Sequence, residues 1–141
     1  MAGTVGEPGT PGDLALVAGA YDALNRRDID GALEMHHPDA QYDWSRSIGP
    51  YAGVYRGHDA IRDFVQTFLD AVEQLRFDIE EIETVNGEVL AMVRATIRGR
   101  GSGAVAVATG PHVWLVEAGR LRRMALFQSR EEALGSLRGE T

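Results

Sequence analysis

The chain has 141 residues, no cysteine and a formal net charge of −7. This length fits one domain with a hydrophobic core of its own, and the lack of cysteine excludes disulfides and thiolate metal sites. The acidic balance disfavours nucleic acid as a partner, because phosphate contacts need a basic face. No apolar run approaches the ~18 residues of a membrane-spanning helix, so we expect no membrane partner.

The N-terminal segment has the composition of a tail. Residues 1–12 are rich in Gly, Pro and Thr, and lack the basic start and apolar core of a signal peptide. We expect a flexible tail over 1–12, one domain over 13–141, and a cytoplasmic location.

Three helices are predicted in the first half of the chain. Apolar residues recur at helical spacing from Asp13 to Asn25, with Asp13 as N-cap. Asp28 can cap a short second helix that runs to about His36 and is ended by Pro38. A third helix is predicted from His58 or Asp59 to about Gln74. It carries an apolar stripe formed by Ile61, Phe64, Val65, Phe68, Leu69 and Val72.

The remaining pattern predicts strands. Residues 40–44 alternate, which places Tyr42 and Trp44 on one face and Asp43 on the other. Residues 45–56 read as a loop. Further strands are predicted over 75–85, 88–98, 104–116 and 121–128, with a hairpin turn at Asn86-Gly87, a glycine-rich turn or bulged corner over 99–103 and a closing helical turn over 130–137. Helices combined with a meander of strands indicate the α+β class.

Several short motifs, in this order and spacing, resemble the SnoaL-like (polyketide cyclase and ketosteroid isomerase-like) branch of the nuclear transport factor 2-like superfamily. They are Leu24-Asn25-x-x-Asp28-x-Asp30-Gly31, Gly53-Val54-Tyr55-Arg56-Gly57-His58 and His112-Val113-Trp114. The resemblance covers about 13–137. It implies an α+β cone, with three N-terminal helices packed on a curved, mostly antiparallel sheet around a pocket. It also implies a homodimer through the sheet face, and we expect no metal and no organic cofactor.

The residues of ketosteroid isomerase chemistry are not matched. That enzyme needs an Asp base and an oxyanion hole made of a Tyr and a protonated Asp. In this sequence the base position falls at Trp44, the Tyr position at Ala20 beside Tyr21, and the second Asp near Pro111 beside His112. A slip of one residue would bring Tyr21 and Asp43 into the first two positions, but Asp43 has the opposite strand parity to Trp44. Polyketide cyclases of the family rely on an acidic residue and a histidine, and His112 could supply only the latter.

His112 and Tyr21 are the candidate catalytic residues. His112 lies mid-strand with the same parity as Trp114, and histidine is suited to moving protons near neutral pH. A hydrogen-bonded structural role is the alternative. The predicted ligand pocket is walled by rings that suit an apolar ligand or, alternatively, simply form the core. These rings are Tyr42, Trp44, Trp114 and Phe127.

Charged candidates are weaker. Asp43 and Arg46 could shape the pocket mouth or hold an anionic ligand, or form an ordinary solvated ion pair. His36 and His37 would point about 100° apart on a helix, so they are not expected to share a metal ion.

Three functions are compatible with these patterns. The first is acid/base chemistry, such as isomerisation, cyclisation or dehydration, on a small hydrophobic carbonyl compound. The second is binding of an apolar ligand without catalysis. The third is an interaction domain that uses the exposed sheet face.

Overall fold

The computed structural model describes residues 11–139; residues 1–10 of the predicted tail lie outside this range. The elements are α1 (Pro11–Asn25), α2 (Ile29–Glu34), β1 (His36–Asp43), β2 (Val54–Arg56), α3 (Gly57–Ala71), β3 (Val72–Val85), β4 (Glu88–Gly99), β5 (Val105–Glu117), β6 (Arg120–Leu126) and α4 (Arg130–Leu137). The predicted α+β class, the three N-terminal helices and the closing helix are confirmed. The predicted start of the first helix is wrong: α1 begins at Pro11, so Pro11 and Gly12 are helical, and Asp13 lies in the first turn and is not the N-cap. No helix within 11–139 is long and apolar enough to cross a membrane.

The strands form one curled sheet in the order β2-β1-β6-β5-β4-β3. All neighbours are antiparallel except β1 and β6, which are parallel. The β3–β4 hairpin turns at Asn86 and Gly87, with φ of 49° and 82°. Two successive positive φ angles are what a tight type I′ turn requires, and Asn-Gly adopts them readily.

The two faces of the sheet bury different clusters. Ala91, Trp114 and Met124 point to the main core, which the N-terminal helices cover. The neighbouring positions Leu90, Val113 and Ala125 point the other way and pack in a cluster that includes Ala133 of α4. A shift of one residue in strand register would exchange these sets, so burial on both faces fixes the register.

The motif around Asn25 connects the helices to the sheet. The Asn25 side chain donates to the Phe77 carbonyl at 2.9 Å and accepts from the Phe77 N–H at 2.7 Å. Asp28 caps α2 by accepting from the Gly31 N–H. A Cβ at Gly31 would lie 2.2 Å from the Asp28 carboxylate, so this cap needs glycine there.

The predicted second helix is too long. α2 ends at Glu34, and His36 is already the first residue of β1. The His36 Nδ1 lies 2.7 Å from the Ala32 carbonyl, so the imidazole takes an acceptor that a further turn of helix would use. Pro38 lies inside β1, where the pairing with β6 is irregular between His36 and Gln41. Proline is tolerated there because the ladder needs no N–H from it.

The loop predicted over 45–56 contains an additional strand. β2 pairs with the end of β1. Trp44, predicted to be part of the strand, lies one residue beyond β1, but its N–H still donates to the Gly53 carbonyl across the same pair of chain segments. Three residues offer too little periodicity to identify a strand.

The third helix also differs from its prediction. It runs from Gly57 to Ala71, not from His58 or Asp59 to Gln74, because Val72 already has extended backbone and begins β3.

Candidate functional site

A chamber of about 370 Å³ lies between the N-terminal helices and the concave face of the sheet. Ile48 is 93% exposed and also lines the chamber, so it marks the mouth. The expected pocket between helices and sheet is therefore present. Its lining consists of Tyr21, Leu24, Tyr42, Trp44, Ile48, Phe64, Val65, Phe68, Leu69, Leu75, Phe77, Val93, Ala95, Ile97, Ala108, Thr109, Gly110, His112, Trp114, Met124, Leu126, Phe127 and Gln128.

Three of the predicted residues form a buried polar chain at the chamber wall. The Tyr21 oxygen lies 2.5 Å from His112 Nδ1 and accepts a hydrogen bond from Trp114 Nε1 at 3.0 Å. The Tyr21 and Trp114 rings meet edge to face, with centroids 5.6 Å apart. α1 thus supplies the hydroxyl and β5 both nitrogens, because alternate residues of β5 point to the same face.

The donor and acceptor inventory fixes the proton positions. Trp114 Nε1 can only donate, so the Tyr21 oxygen accepts from it. A Tyr21 oxygen that accepted from both nitrogens would leave its own proton without an acceptor within residues 11–139. We therefore infer that Tyr21 donates to His112 Nδ1, which makes Nδ1 an acceptor and places the imidazole proton on Nε2.

The Nε2–H of His112 is the free end of this chain. It has no protein partner within residues 11–139. Among the fully covered side-chain nitrogen and oxygen atoms of that range, only Trp44 Nε1 lacks a partner. Because His112 Nε2 also lacks a partner, it is not fully covered. His112 lines the chamber, so Nε2 is open to the chamber volume.

Burial keeps both members of the pair neutral. It lowers the pKa of His112 to about 4, since a charged imidazolium would lose its hydration. Burial also raises the pKa of Tyr21, and the hydrogen bond from Trp114 opposes this in part. No Asp, Glu, Lys or Arg of residues 11–139 lines the chamber, so the site offers neutral hydrogen-bonding groups in apolar walls.

A second histidine–tyrosine pair lies behind the wall, and sequence reasoning missed it. Tyr42 Oη is 2.8 Å from His36 Nε2, while His36 Nδ1 faces the Ala32 carbonyl. The carbonyl takes the proton of Nδ1, so the Tyr42 hydroxyl donates to Nε2. Tyr42 therefore offers its ring to the chamber and uses its hydroxyl elsewhere. The sequence could have indicated this pair only if His36 had been assigned to the strand, because His36 and Tyr42 are then an even number of residues apart and lie on the same face.

Trp44 and Phe127, two of the rings proposed from the sequence as walls of a ligand pocket, also line the chamber. The Trp44 ring packs against Phe64 and Phe68 at centroid distances of 5.0 and 5.6 Å. Since Trp44 stands where the family comparison called for a base, this part of the wall holds an indole and no carboxylate.

Asp43 and Arg46 do not line the chamber. Their side chains form an exposed ion pair at 3.5 Å. Asp43 also accepts from the Ser45 hydroxyl at 2.6 Å. Burial would raise the Asp43 pKa, but the hydrogen bonds from Ser45 and the charge of Arg46 lower it overall. The Arg46 guanidinium lies 4.4 Å from the centre of the Phe127 ring, so this pair stabilises the mouth from outside.

Residues 11–139 contain no group of three or more His, Asp or Glu side chains placed to hold a metal ion. His36 is committed to Ala32 and Tyr42, and His37 lies 3.8 Å from Glu117.

The model of the SnoaL-like domain family matches residues 17–124, and the chain belongs to that family. No curated protein matches the sequence. Solved structures share the fold at low identity. TerC co-crystallised with polyporic acid has a TM-score of 0.73 at 22% identity, covering 89% of this chain and 97% of the other.

Two mycobacterial structures are also similar. The Mycobacterium tuberculosis protein RV0760c in complex with estradiol-17beta-hemisuccinate has a TM-score of 0.74 at 18% identity, covering 86% of this chain and 97% of the other. The Δ5-3-ketosteroid isomerase from Mycobacterium sp. has a TM-score of 0.72 at 17% identity, covering 86% and 96%. At these identities the likeness shows the nuclear transport factor 2-like fold.

Proposed function

We propose that this protein binds one small, largely apolar molecule in the chamber and orients it through an oxygen that accepts from His112 Nε2–H. The observation that carries the proposal is the chain from Trp114 through Tyr21 to His112. All polar side-chain atoms of Trp114, Tyr21 and His112 are hydrogen-bonded within this chain except His112 Nε2, whose N–H is open to the chamber.

The dimensions and lining support a small hydrophobic ligand. A volume of about 370 Å³ lies within the roughly 300–1,000 Å³ that is usual for ligand pockets. A carbonyl or hydroxyl oxygen on the ligand would supply the acceptor that His112 lacks. A carboxylate deep in the chamber would be opposed by its desolvation, because no cation of residues 11–139 lines the wall. Two of the similar structures hold small molecules, which favours this class of ligand.

Catalysis is the second candidate, and the short Tyr21–His112 hydrogen bond is the observation that favours it. In an isomerisation, cyclisation or dehydration of a carbonyl compound, His112 Nε2–H would polarise the substrate oxygen and Tyr21 would hold the imidazole. Proton abstraction also needs a base, and the chamber lining within 11–139 contains no carboxylate. Binding without chemistry is therefore the stronger proposal.

The binding test uses the tryptophans of the chain as reporters. Both of them, Trp44 and Trp114, line the chamber, so a bound molecule should change their fluorescence. Titration with estradiol-17β-hemisuccinate and with polyporic acid should give saturable binding of at least one probe. His112→Phe should weaken it by about 5- to 150-fold, because a buried hydrogen bond of about 1–3 kcal/mol is lost. His112→Gln, which can offer an amide N–H at similar depth, is the matched control and should retain more of the affinity.

Equal binding by the wild type and both variants would contradict a role for His112. Native mass spectrometry of the protein purified from its own cells separates the two candidates: a compound recovered unaltered supports binding, and conversion of that compound by the wild type alone supports catalysis.

A homodimer through the sheet face and a cytoplasmic location are further parts of the proposal. Val105 and Val107, which are 54% and 59% exposed, support a contact surface on β5. Light scattering tests the dimer and cell fractionation tests the location.

A further inference from the structure

The loop between β1 and β2 borders the mouth of the chamber. Its two ends are tied together, because the Trp44 N–H donates to the Gly53 carbonyl at 2.7 Å and the Gly53 N–H donates to the Trp44 carbonyl at 3.2 Å. A surface loop whose ends meet in this way forms a compact unit, and such loops often carry functional side chains. The residues enclosed by the two bonds, 45–52, therefore project from one base beside the chamber.

Both sides of this loop are attached to the rest of the domain. On the first side, the Gln128 side chain donates to the Arg46 carbonyl at 2.6 Å, and the Arg46 guanidinium lies over an aromatic ring that follows β6. On the second side, the Tyr55 hydroxyl donates to the Tyr51 carbonyl at 2.6 Å, and the Tyr51 ring packs against a ring of α3 at a centroid distance of 4.5 Å. These attachments hold the tip of the loop, residues 47–50, between them.

The tip presents one large apolar side chain, that of Ile48. Within residues 11–139 the hydrogen bonds of the tip stay inside the loop, where the Ser47 hydroxyl accepts from the Gly49 N–H at 3.2 Å. Ile48 is 93% exposed, yet it belongs to the chamber lining. A single exposed apolar residue is ordinary on a protein surface. One that is held at the rim of an apolar chamber can also be buried by whatever molecule fills the chamber.

The strand register gives the distance between the mouth and His112. β5 and β6 are antiparallel, and His112 is opposite Leu126. Gln128, which holds the loop, therefore lies near Gly110, two residues before His112 on β5. Two residues of a strand span about 7 Å. A molecule that accepts from His112 and has a single ring behind its oxygen thus ends inside the chamber, whereas a second ring in line with the first reaches the loop tip.

We propose that Ile48 packs on the outer end of the molecule bound in the chamber and selects molecules long enough to reach it. This role depends on the proposed function, in which His112 holds the oxygen of that molecule. The ligand is then an elongated compound with a carbonyl or hydroxyl oxygen at its inner end and an apolar group at its outer end. Contact between this group and Ile48 removes apolar surface of both from water, which stabilises the complex. Because Ile48 is exposed in the free protein, it acts on binding and not on folding.

Calorimetric titration with two ketones of different length tests this contact. Acetophenone has one ring behind its carbonyl, and 4-acetylbiphenyl adds a second ring in line. Ile48→Thr should weaken the binding of 4-acetylbiphenyl by about 3- to 10-fold and that of acetophenone by less than about twofold, because only the longer ketone buries the apolar atoms that are removed. Val54→Thr is the matched control, since Val54 is an exposed β-branched residue of β2 outside the chamber lining. It should leave both affinities unchanged.

A direct readout accompanies the titrations. Nuclear Overhauser spectra of the wild-type complex with 4-acetylbiphenyl should show contacts between the Ile48 methyl groups and the outer ring, and their absence would overturn the role of Ile48. If His112→Phe weakens both ketones while Ile48→Thr weakens neither, or weakens both equally, the proposed function stands and the role of Ile48 is overturned. If His112→Phe leaves both affinities unchanged, the proposed function itself fails. If neither ketone binds, the ligand class inferred from Ile48 is wrong.

Discussion

At His112, burial keeps the imidazole neutral, and the hydrogen bond to Tyr21 favours the tautomer with its proton on Nε2. The sequence indicated His112 through its strand parity with Trp114, and it indicated Tyr21 through its place one residue after the Tyr position that the family resemblance implies. The contact between them could not be predicted, because it joins positions 91 residues apart and depends on how α1 lies across the sheet. The Tyr42–His36 bond was missed for a local reason: His36 was assigned to a helix.

Tyr21→Phe tests the polar chain at this scale. The substitution leaves Trp114 Nε1 and His112 Nδ1 without their partner in a buried site, so the free energy of unfolding should fall by about 1–3 kcal/mol. Urea denaturation measures this. Tyr51→Phe is the matched control, because the Tyr51 side chain makes no hydrogen bond within 11–139 and only its backbone carbonyl accepts one, from Tyr55. The control should change stability by less than about 0.5 kcal/mol. Similar losses in both variants would argue against the chain.

At the level of elements, the sequence indicates long periodic segments well and short ones poorly. The β3–β4 hairpin was predicted because alternation on both sides of Asn86-Gly87 agrees with the turn chemistry. β2 was missed because three residues carry no period. The early start of β1 was missed because Pro38 reads as a breaker, while in the folded chain an irregular stretch of pairing accommodates it.

Asn25→Ala tests how α1 is held against β3. The side chain replaces strand partners for both backbone groups of Phe77, so its loss should lower the free energy of unfolding by about 1–3 kcal/mol. Phe77 also lines the chamber, and probe binding should weaken with it. Asn25→Asp retains the acceptor for the Phe77 N–H and should lose less stability. Equal stability of the alanine variant and the wild type would show that packing alone sets this junction.

For the whole molecule, the order of the motifs and the periodicity of the apolar residues predicted the fold. The function of the chamber depends on the side chains of its wall, which the family fold does not determine. A cone of helices on a curled sheet supplies an enclosed volume, and the side chains at its wall determine the chemistry. Here the wall holds the indole of Trp44, and the polar groups of the lining are neutral. Homology could indicate the chamber but not its ligand.

Stability should depend on pH through the two buried histidines. The pKa of His36 and that of His112 are each lowered to about 4 by burial, while an unfolded histidine titrates near 6.5. Between these values the unfolded chain binds more protons, so the free energy of unfolding should fall as pH falls from about 6.5 toward 4, by at most about 3 kcal/mol per histidine. Urea midpoints from pH 7 to 4.5 measure this, and His112→Gln should show a smaller slope. No change between pH 7 and 5 would contradict buried, neutral histidines.

We infer that neutral His112 holds its proton on Nε2 and offers it to the chamber. Long-range ¹H–¹⁵N correlation spectra of ¹⁵N-histidine-labelled protein report the tautomer and the titration of each ring directly. We predict that His112 is the Nε2–H tautomer at neutral pH and does not titrate above about pH 5, given its pKa of about 4. An Nδ1–H tautomer, or titration near pH 6.5 in the folded protein, would contradict the account.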